Sequence, residues 1–174
     1  MIVILVALAL FAVDYVCKYL VDKKIKESDD ISILKDKFIL RKCYNHGLAL
    51  NTLSDKPKLV LFLSSTALGM FLSMYLPEIF KKKNHLVKIG TAFVLGGEIS
   101  NLVEHFRRGI VVDYLSINSS KQKIRNIVFN LADLFIAFGG VILIAMELFR
   151  KVSGALGGKK NSDPISLCKK EENE

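Results

Sequence analysis

The sequence is poor in the residues and motifs that bind metals and cofactors. Its three cysteines, Cys17, Cys43 and Cys168, are an odd number among 174 residues, and their spacing matches no metal site. The three histidines do not cluster with them. A glycine-rich phosphate loop is absent, and no serine has a plausible histidine partner for nucleophilic catalysis. The sequence therefore predicts a protein that uses no metal or other cofactor.

A basic stripe with interleaved aromatic residues, the pattern of a nucleic-acid-binding surface, is also missing. The formal net charge is +8, but the lysines and arginines fall between apolar blocks. This distribution predicts no nucleic-acid partner and favours the lipids of an anionic membrane surface. Tryptophan is absent, although 51% of the residues are hydrophobic. That composition is too apolar for an ordinary soluble domain of this length and indicates a membrane protein.

Four apolar blocks carry this hydrophobicity. They cover residues 2–21, 59–76, 86–103 and 128–149, each close to the roughly 20 residues that a membrane-spanning helix needs. The first block lacks the basic residues that open a signal peptide, so we interpret it as a retained helix. The sequence thus predicts an all-α membrane protein, with four transmembrane helices in one domain that covers residues 1–150.

The segments between the blocks suggest a topology. EIFKKKNH, residues 78–85, is a short basic loop typical of the cytoplasmic side, which would place both termini there. Residues 22–58 are also rich in lysine, so charge alone does not fix the orientation. Within them, ISILKDKFIL alternates apolar and polar residues and predicts a small extracytoplasmic segment of short β-strands. Residues 151–174 lack periodicity and are predicted to form a flexible basic cytoplasmic tail.

Asp14 and Lys18 lie toward the end of the first block and are spaced so that they can pair along a helix. Two interpretations remain open. The pair could lie at the membrane interface, with the lysine snorkelling outward and fixing the depth of the helix. Alternatively, the pair could belong to an active site.

Further polar residues lie in the third and fourth blocks. Gly97, Asn101 and His105 share one helical face, whereas Asn130 and Asp133 share another, predicted to lie one to two turns inside the membrane. Hydrogen bonding between helices would explain the asparagines. It does not explain Asp133, because a charged side chain near the bilayer centre costs about 2.5 to 3.5 kcal/mol.

Asp133 therefore needs a partner at its own depth, and Asp113 is the candidate. It lies in GIVVDYL, an apolar run after the third block that can fold back beside the mouth of the fourth helix. Two carboxylates within hydrogen-bonding distance cannot both stay ionised, so they share a proton. One can then activate water while the other protonates or polarises a carbonyl group.

Five short motifs, taken in order, resemble those of a known family, the bacterial lipoprotein signal peptidases, also called signal peptidase II. The motifs are DYVCK (14–18), NHGLA (45–49), GGEISNL (96–102), GIVVDYL (109–115) and FNLAD (129–133). The family consists of four-helix membrane aspartyl proteases that cut the signal peptide from prolipoproteins just before a diacylglyceryl-modified cysteine. The resemblance implies this activity here, near the outer leaflet of the bacterial cell membrane, on a diacylglyceryl-prolipoprotein substrate. We expect a monomer.

The resemblance also implies roles for individual residues. Asp113 and Asp133 match the catalytic pair, while Asn101 and Asn130 match polar residues that line the site. Asn45 and Gly47 match a loop that holds the substrate backbone. Asp14 matches a site-supporting acid, and Lys18 matches the lysine of the same motif.

His105 stands where the family has arginine. Arg107 and Arg108 follow two and three residues later and are candidate substitutes, although neither occupies the matching helical face. Two other functions stay open. One is an inactive family member that binds lipoproteins without cutting them, and the other is a proton or cation carrier with an acidic relay. A relay would spread its acids through the bilayer, whereas most of the acids here gather near one predicted membrane face.

Overall fold

The computed structural model describes residues 2–81 and 84–157. Its helices are α1 (Ile2–Lys24), α2 (Pro57–Phe80), α3 (His85–Arg108), the single-turn α4 (Gln122–Arg125) and α5 (Leu131–Gly157). Within the described ranges, all of these except α4 are long and apolar enough to cross a membrane. The predicted fold class, with four transmembrane helices, is confirmed.

Helix α3 is the most buried of the long helices and packs against α1, α2 and α5. Two glycines permit this contact. A Cβ atom on Gly96 would lie 2.9 Å from the Ala7 carbonyl oxygen, and one on Gly97 would lie 2.5 Å from the Ala132 carbonyl oxygen. Both distances are too short for a real Cβ contact, so the backbones can approach only because these residues are glycine. Such close approach is typical of helix packing in membranes.

Four short strands form one antiparallel sheet in the order β1-β2-β3-β4. They are β1 (Ile31–Ile33), β2 (Phe38–Asn45), β3 (Val111–Ile117) and β4 (Val128–Phe129). The strands predicted between the first two spans are confirmed as β1 and β2. The predicted start of the fourth span is wrong, because Val128 and Phe129 pair with β3 and the helix begins only at Leu131.

A bulge in β2 decides which face of the sheet Asn45 occupies. Leu40 pairs with Leu115, whereas Cys43 pairs with Asp113, so β2 advances one residue more than β3 between these pairs. Because side chains alternate between the two faces, the extra residue reverses the alternation beyond it. Asn45 therefore shares a face with Asp113 and donates a hydrogen bond to it at 3.0 Å.

Helix α2 passes the predicted end of its span, continuing through Pro77 to Phe80. Pro77 has no N–H group to donate to the Ser73 carbonyl, a loss that membrane helices tolerate because other groups can pair with the freed carbonyl. The connection to α3 is correspondingly shorter than the predicted basic loop. Lys82 and Lys83 of that loop lie outside the described residues.

Helix α5 also extends beyond its predicted end and continues to Gly157. The first residues of the predicted tail, 151–157, are therefore helical. The rest of that tail, residues 158–174, lies outside the described residues.

Candidate active site

Asp113 belongs to β3 and is buried, with a relative exposure of 5%. The apolar run that was predicted to fold back toward the fourth helix is this strand. The side-chain amide of Asn130 donates to Asp113 Oδ1 at 2.6 Å, and that of Asn45 donates to Oδ2 at 3.0 Å. Each oxygen of the carboxyl group thus has an amide donor, which fixes its orientation.

Asp133 lies in the first turn of α5, and Asn130 caps that helix. Asn130 Oδ1 accepts the backbone N–H of Asp133 at 3.0 Å, and Asp133 Oδ2 accepts the backbone N–H of Asn130 at 3.0 Å. This reciprocal pattern is a capping box, with aspartate in place of the usual glutamate or glutamine. The prediction that Asn130 lies inside the fourth helix is therefore wrong, because the helix begins after it. Through its cap and its amide group, Asn130 binds both Asp133 and Asp113.

The first two N–H groups of α5 are paired as well. The hydroxyl oxygen of Tyr114 accepts the N–H of Leu131 at 3.2 Å, and Asp14 Oδ1 accepts the N–H of Ala132 at 3.1 Å. Backbone donors without partners are costly at membrane depth, where no water replaces them. Asp14, which is fully buried, therefore stabilises the helix end that carries Asp133.

Lys18 is buried beside Asp14, with a relative exposure of 1%. Its Nζ lies 2.8 Å from Asp14 Oδ2 and 3.4 Å from Glu104 Oε2. The lysine therefore does not snorkel outward. Two carboxyl groups inside the protein replace the water that would otherwise solvate its charge.

Lys18 also reaches Asp133 through a single side chain. Its Nζ donates to Asn101 Oδ1 at 2.6 Å, and Asn101 Nδ2 donates to Asp133 Oδ1 at 3.0 Å. Because an ammonium group can only donate, it holds the amide oxygen of Asn101 toward itself. The amide NH₂ group then faces Asp133.

The loop after β2 completes the same site. The N–H of Gly47 donates to Asn45 Oδ1 at 2.9 Å, which leaves the Asn45 NH₂ group free to face Asp113. A Cβ atom on Gly47 would collide with the Thr52 carbonyl oxygen, so this turn requires glycine. The ring of His105 lies against the Gly47 backbone and links α3 to the loop.

A cavity of about 430 Å³ collects most of the predicted site residues. Those that line it are Asn45, Gly47, Asn101, His105, Asp113, Asn130 and Asp133. Asp14 and Lys18, also predicted for the site, do not line the cavity and instead hold residues of its wall. Apolar side chains form much of the remaining lining, namely Leu48, Leu50, Leu102, Ile127, Phe129 and Ile136. The described residues that line the cavity include no lysine or arginine.

The environment of Asp113 favours its protonated form. Burial, followed by the charge of the neighbouring Asp133, raises the pKa of Asp113 from 3.8 to about 7. Hydrogen bonds from Asn45 and Asn130, and the charge of Lys18, oppose the shift without cancelling it. Asp113 can therefore hold a proton at mildly acidic to neutral pH, as expected for a buried acid near a second acid and in direct contact with no cation of the described residues.

The sequence profile of a family described as signal peptidase (SPase) II matches residues 6–149. The chain belongs to this family. It is thus a protease and a multi-pass bacterial membrane protein. The lipoprotein signal peptidase of Halothermothrix orenii is 32% identical over 142 residues, or 82% of this chain and 92% of that protein. The lipoprotein signal peptidase of Fusobacterium nucleatum is 30% identical over 149 residues, or 86% and 87% of the two chains.

Two solved structures, each described as a bacterial membrane enzyme, share the fold of this signal peptidase II member. One has a TM-score of 0.70 at 24% identity and covers 87% of this chain and 90% of its own. The other has a TM-score of 0.69 at 22% identity, with coverages of 84% and 92%.

Neither arginine that follows His105 lines the cavity of this signal peptidase II chain. Arg107 donates to the Tyr15 hydroxyl group at 2.7 Å. Arg108 pairs with Asp22 at 3.0 Å. The arginines are therefore not substitutes at this position, and His105 itself lines the cavity.

Three buried contributors to this signal peptidase II site were missed by sequence reasoning. Ser100 donates to Asp14 Oδ2 at 2.6 Å, and Tyr114 donates to Asp14 Oδ1 at 3.2 Å. Glu104 accepts a backbone N–H of β3 at 3.1 Å. Glu104 lies three residues after Asn101, so its helical spacing was a usable signal. Ser100 and Tyr114 offered none, because their contacts depend on residues far away in the chain.

Proposed function

We propose that this signal peptidase II member is an intramembrane aspartyl endopeptidase in which Asp113 and Asp133 act as one catalytic pair. The observation that carries the proposal is the position of Asn130, which hydrogen-bonds to both acids beside the cavity. Among the described residues, no lysine or arginine lines this cavity to neutralise the acids. Two adjacent carboxylates would repel each other there, and sharing one proton relieves the repulsion.

The resting pair carries its proton on Asp113, in keeping with the raised pKa of that group. Asp133 takes a proton from water as the water oxygen attacks the carbonyl carbon of the peptide bond, and Asp113 gives its proton to the carbonyl oxygen. When the tetrahedral intermediate collapses, Asp133 protonates the leaving nitrogen and Asp113 regains a proton from the intermediate. The C–N bond breaks, and the pair returns to its starting state. Asn101 and Asn130 hold both acids in position.

The substrate that we propose is a diacylglyceryl-modified prolipoprotein, cut just before its lipidated cysteine. The relatives from Halothermothrix orenii and Fusobacterium nucleatum are named lipoprotein signal peptidases. The cavity is lined by both acids and apolar side chains, a combination that suits a peptide bond beside acyl chains. Asn45 and Gly47 would hold the substrate backbone, with His105 bracing their loop.

The location of the acids supports a site near one membrane face. Asp113 lies in the sheet outside the spanning helices, and Asp133 lies in the first turn of α5. We propose that this face is the outer leaflet of the cell membrane. Both termini then lie in the cytoplasm, together with the α2–α3 connection and the basic tail, residues 151–174. The peptidase domain, residues 1–150, would act as a monomer among membrane lipids.

The test is a gel-shift assay with the purified chain in detergent, comparing a diacylglyceryl-modified prolipoprotein with its unlipidated form. We expect loss of the signal peptide from the lipidated form alone. Asp113→Asn and Asp133→Asn should each lower the cleavage rate about 10³-fold or more, because neither remaining acid can do both proton transfers. The double variant should be little slower than either single one, since the two acids act as a unit.

Asp55→Asn is the matched control, since Asp55 is exposed in the loop before α2. This variant should cleave the substrate at the wild-type rate. Folding is checked by the thermal unfolding of every variant. Wild-type activity in Asp133→Asn would contradict the assignment of Asp113 and Asp133 as the catalytic pair. A folded wild-type protein that cleaves neither substrate would instead favour an inactive, lipoprotein-binding relative or a carrier.

A further inference from the structure

Glu98 is an acid of the cavity wall that the proposed mechanism leaves unused. It lies on the face of α3 that also presents Asn101, Leu102 and His105 to the cavity. Within the described residues its carboxyl group makes no hydrogen bond or ion pair. The side chain is partly exposed and lines the cavity.

The position of Glu98 relative to the two aspartates follows from helix geometry. Glu98 precedes Asn101 by three residues, or about 4.5 Å along the helix axis. Asn101 donates to Asp133, so Glu98 lies about one helical turn from the pair, toward the middle of α3. Ile136 of α5 lies against Gly97, the neighbour of Glu98, and lines the cavity together with Ala137. Glu98 is thus an acidic group beside apolar side chains of the wall.

The other acids of α1 and α3 near the site have polar partners, unlike Glu98. Asp14 has Lys18, Ser100 and two further donors, and Glu104 has Lys18 and a backbone N–H group. A carboxyl group at membrane depth is costly unless it is paired or faces a polar or water-filled cavity. Glu98 is unpaired within the described residues but faces the cavity, where a polar group of the substrate can bind to it.

We propose that Glu98 is a specificity-determining residue that binds a hydroxyl-bearing side chain of the signal segment, two to four residues before the cleaved bond. The inference rests on the proposed function, which places that bond at Asp113 and Asp133. A distance of about 4.5 Å corresponds to one or two residues of extended chain or three residues of helix. A hydroxyl group both donates and accepts, so it suits Glu98 in either protonation state. A neutral hydroxyl also fits the apolar walls beside it better than a charged group does.

The experiment measures kcat/KM for diacylglyceryl-modified peptides that carry serine or alanine at each of these positions in turn. We expect the wild type to prefer serine about tenfold at one position, the usual effect of one hydrogen bond to an acid. In Glu98→Ala this preference should shrink to about twofold or less, whereas Glu98→Gln, which still hydrogen-bonds, should retain part of it. Glu147→Ala is the control: Glu147 is an exposed acid of α5, paired with Arg150, and its loss should not change the preference.

A structural role for Glu98 would lead to a different result. If the residue only stabilised the fold, Glu98→Ala would lower the unfolding temperature and leave the serine preference intact. Our proposal instead expects an unfolding temperature equal to or above that of the wild type, since an unpaired acid is removed.

Two failures can be told apart. Cleavage with the same serine-to-alanine ratio in the wild type and Glu98→Ala overturns the inference and leaves the peptidase function standing. A wild type that cleaves no lipidated peptide, with folding confirmed, overturns both.

Discussion

Two groups of acids lie on opposite sides of the same wall. The cavity pair consists of Asp113 and Asp133, held by amide donors and a backbone N–H group. The support cluster consists of Asp14, Glu104 and Lys18, and it is buried behind Asn101. Both groups contain two carboxyl groups. They differ in that only the support cluster contains a cation.

The cation decides what each group of acids can do. Lys18 pairs with two carboxyl groups that also accept backbone N–H groups of α5 and β3, so the support cluster holds these elements in place. The cavity pair receives only neutral donors, which orient its acids without removing their mutual repulsion. Asn101 joins the two groups, because it accepts from Lys18 and donates to Asp133. The same side-chain chemistry thus serves structure on one side and, in the mechanism that we propose, proton transfer on the other.

Removing the Lys18 cation should have the largest effect on the stability of the protein. In Lys18→Met the two buried carboxyl groups of the support cluster lose their partner, and we expect the free energy of unfolding to fall by about 3 to 5 kcal/mol. Asn101 also loses the donor that orients it, so cleavage should slow. Thermal unfolding in detergent measures the first effect and the gel-shift assay the second.

Lys58→Met is the control for this change, since Lys58 is exposed near the start of α2. Adding Asp14→Asn to Lys18→Met should cost less than the sum of the two single changes, because each removes the same interaction. Equal stability of Lys18→Met and Lys58→Met would show that the support cluster does not depend on its cation.

The titration of Asp113 tests the cavity pair through the pH dependence of stability. Its pKa is raised in the folded protein to about 7, so the folded chain holds a proton that the unfolded chain releases above about pH 4. The stability that this proton contributes is present below about pH 4 and is lost as the pH rises through about 7. We expect the free energy of unfolding to fall by on the order of 2 to 4 kcal/mol across that window.

Asp113→Asn has a neutral side chain at every pH and should therefore show a flatter dependence. Thermal unfolding between about pH 5 and about pH 8 makes the measurement, with Asp55→Asn as the control that keeps the wild-type slope. Identical slopes in Asp113→Asn and the wild type would contradict a shared proton at this site.

Asn130→Ser separates the two functions of Asn130 and is expected to have the smallest effect on stability. Serine is a good N-cap, so the free energy of unfolding should change by about 1 kcal/mol or less. Serine lacks the amide donor to Asp113, and we expect kcat to fall about tenfold or more with little change in KM. Asn118→Ser, at a hydrogen-bonded asparagine outside the cavity, should leave kcat unchanged. A loss of stability without a loss of kcat would mean that Asn130 serves only as a cap.

The four spans and the members of the cavity pair were predictable because each leaves a local signal. Long apolar runs mark the helices, and an acid in such a run stands out because it is costly. The capping box of Asn130 and Asp133 was also readable from their spacing. The apolar residues Val128 and Phe129 obscured the capping box in the sequence. They form a two-residue strand directly before a spanning helix, so the strand and the helix make one hydrophobic run.

Within the support cluster, the Asp14–Lys18 pair was predicted from its spacing, whereas the contacts of Lys18 with the third helix were not, because they join distant parts of the chain. Lys18 and Asn101 are separated by 83 positions, and nothing in the first block indicates which residues of the third will meet it. The bulge in β2 is a similar case. Nothing in the sequence around Cys43 marks the extra residue, yet it decides whether Asn45 faces Asp113.

The bond between Asp14 and the N–H of Ala132 joins the first long helix to the last. A ribosome delivers α1 well before α5, so the two halves of this contact are made at different times. Until α5 docks, Asp113 has neither Asn130 nor Asp133 beside it. The order of synthesis therefore means that the cavity pair is assembled only after the last long helix has inserted and packed against the others.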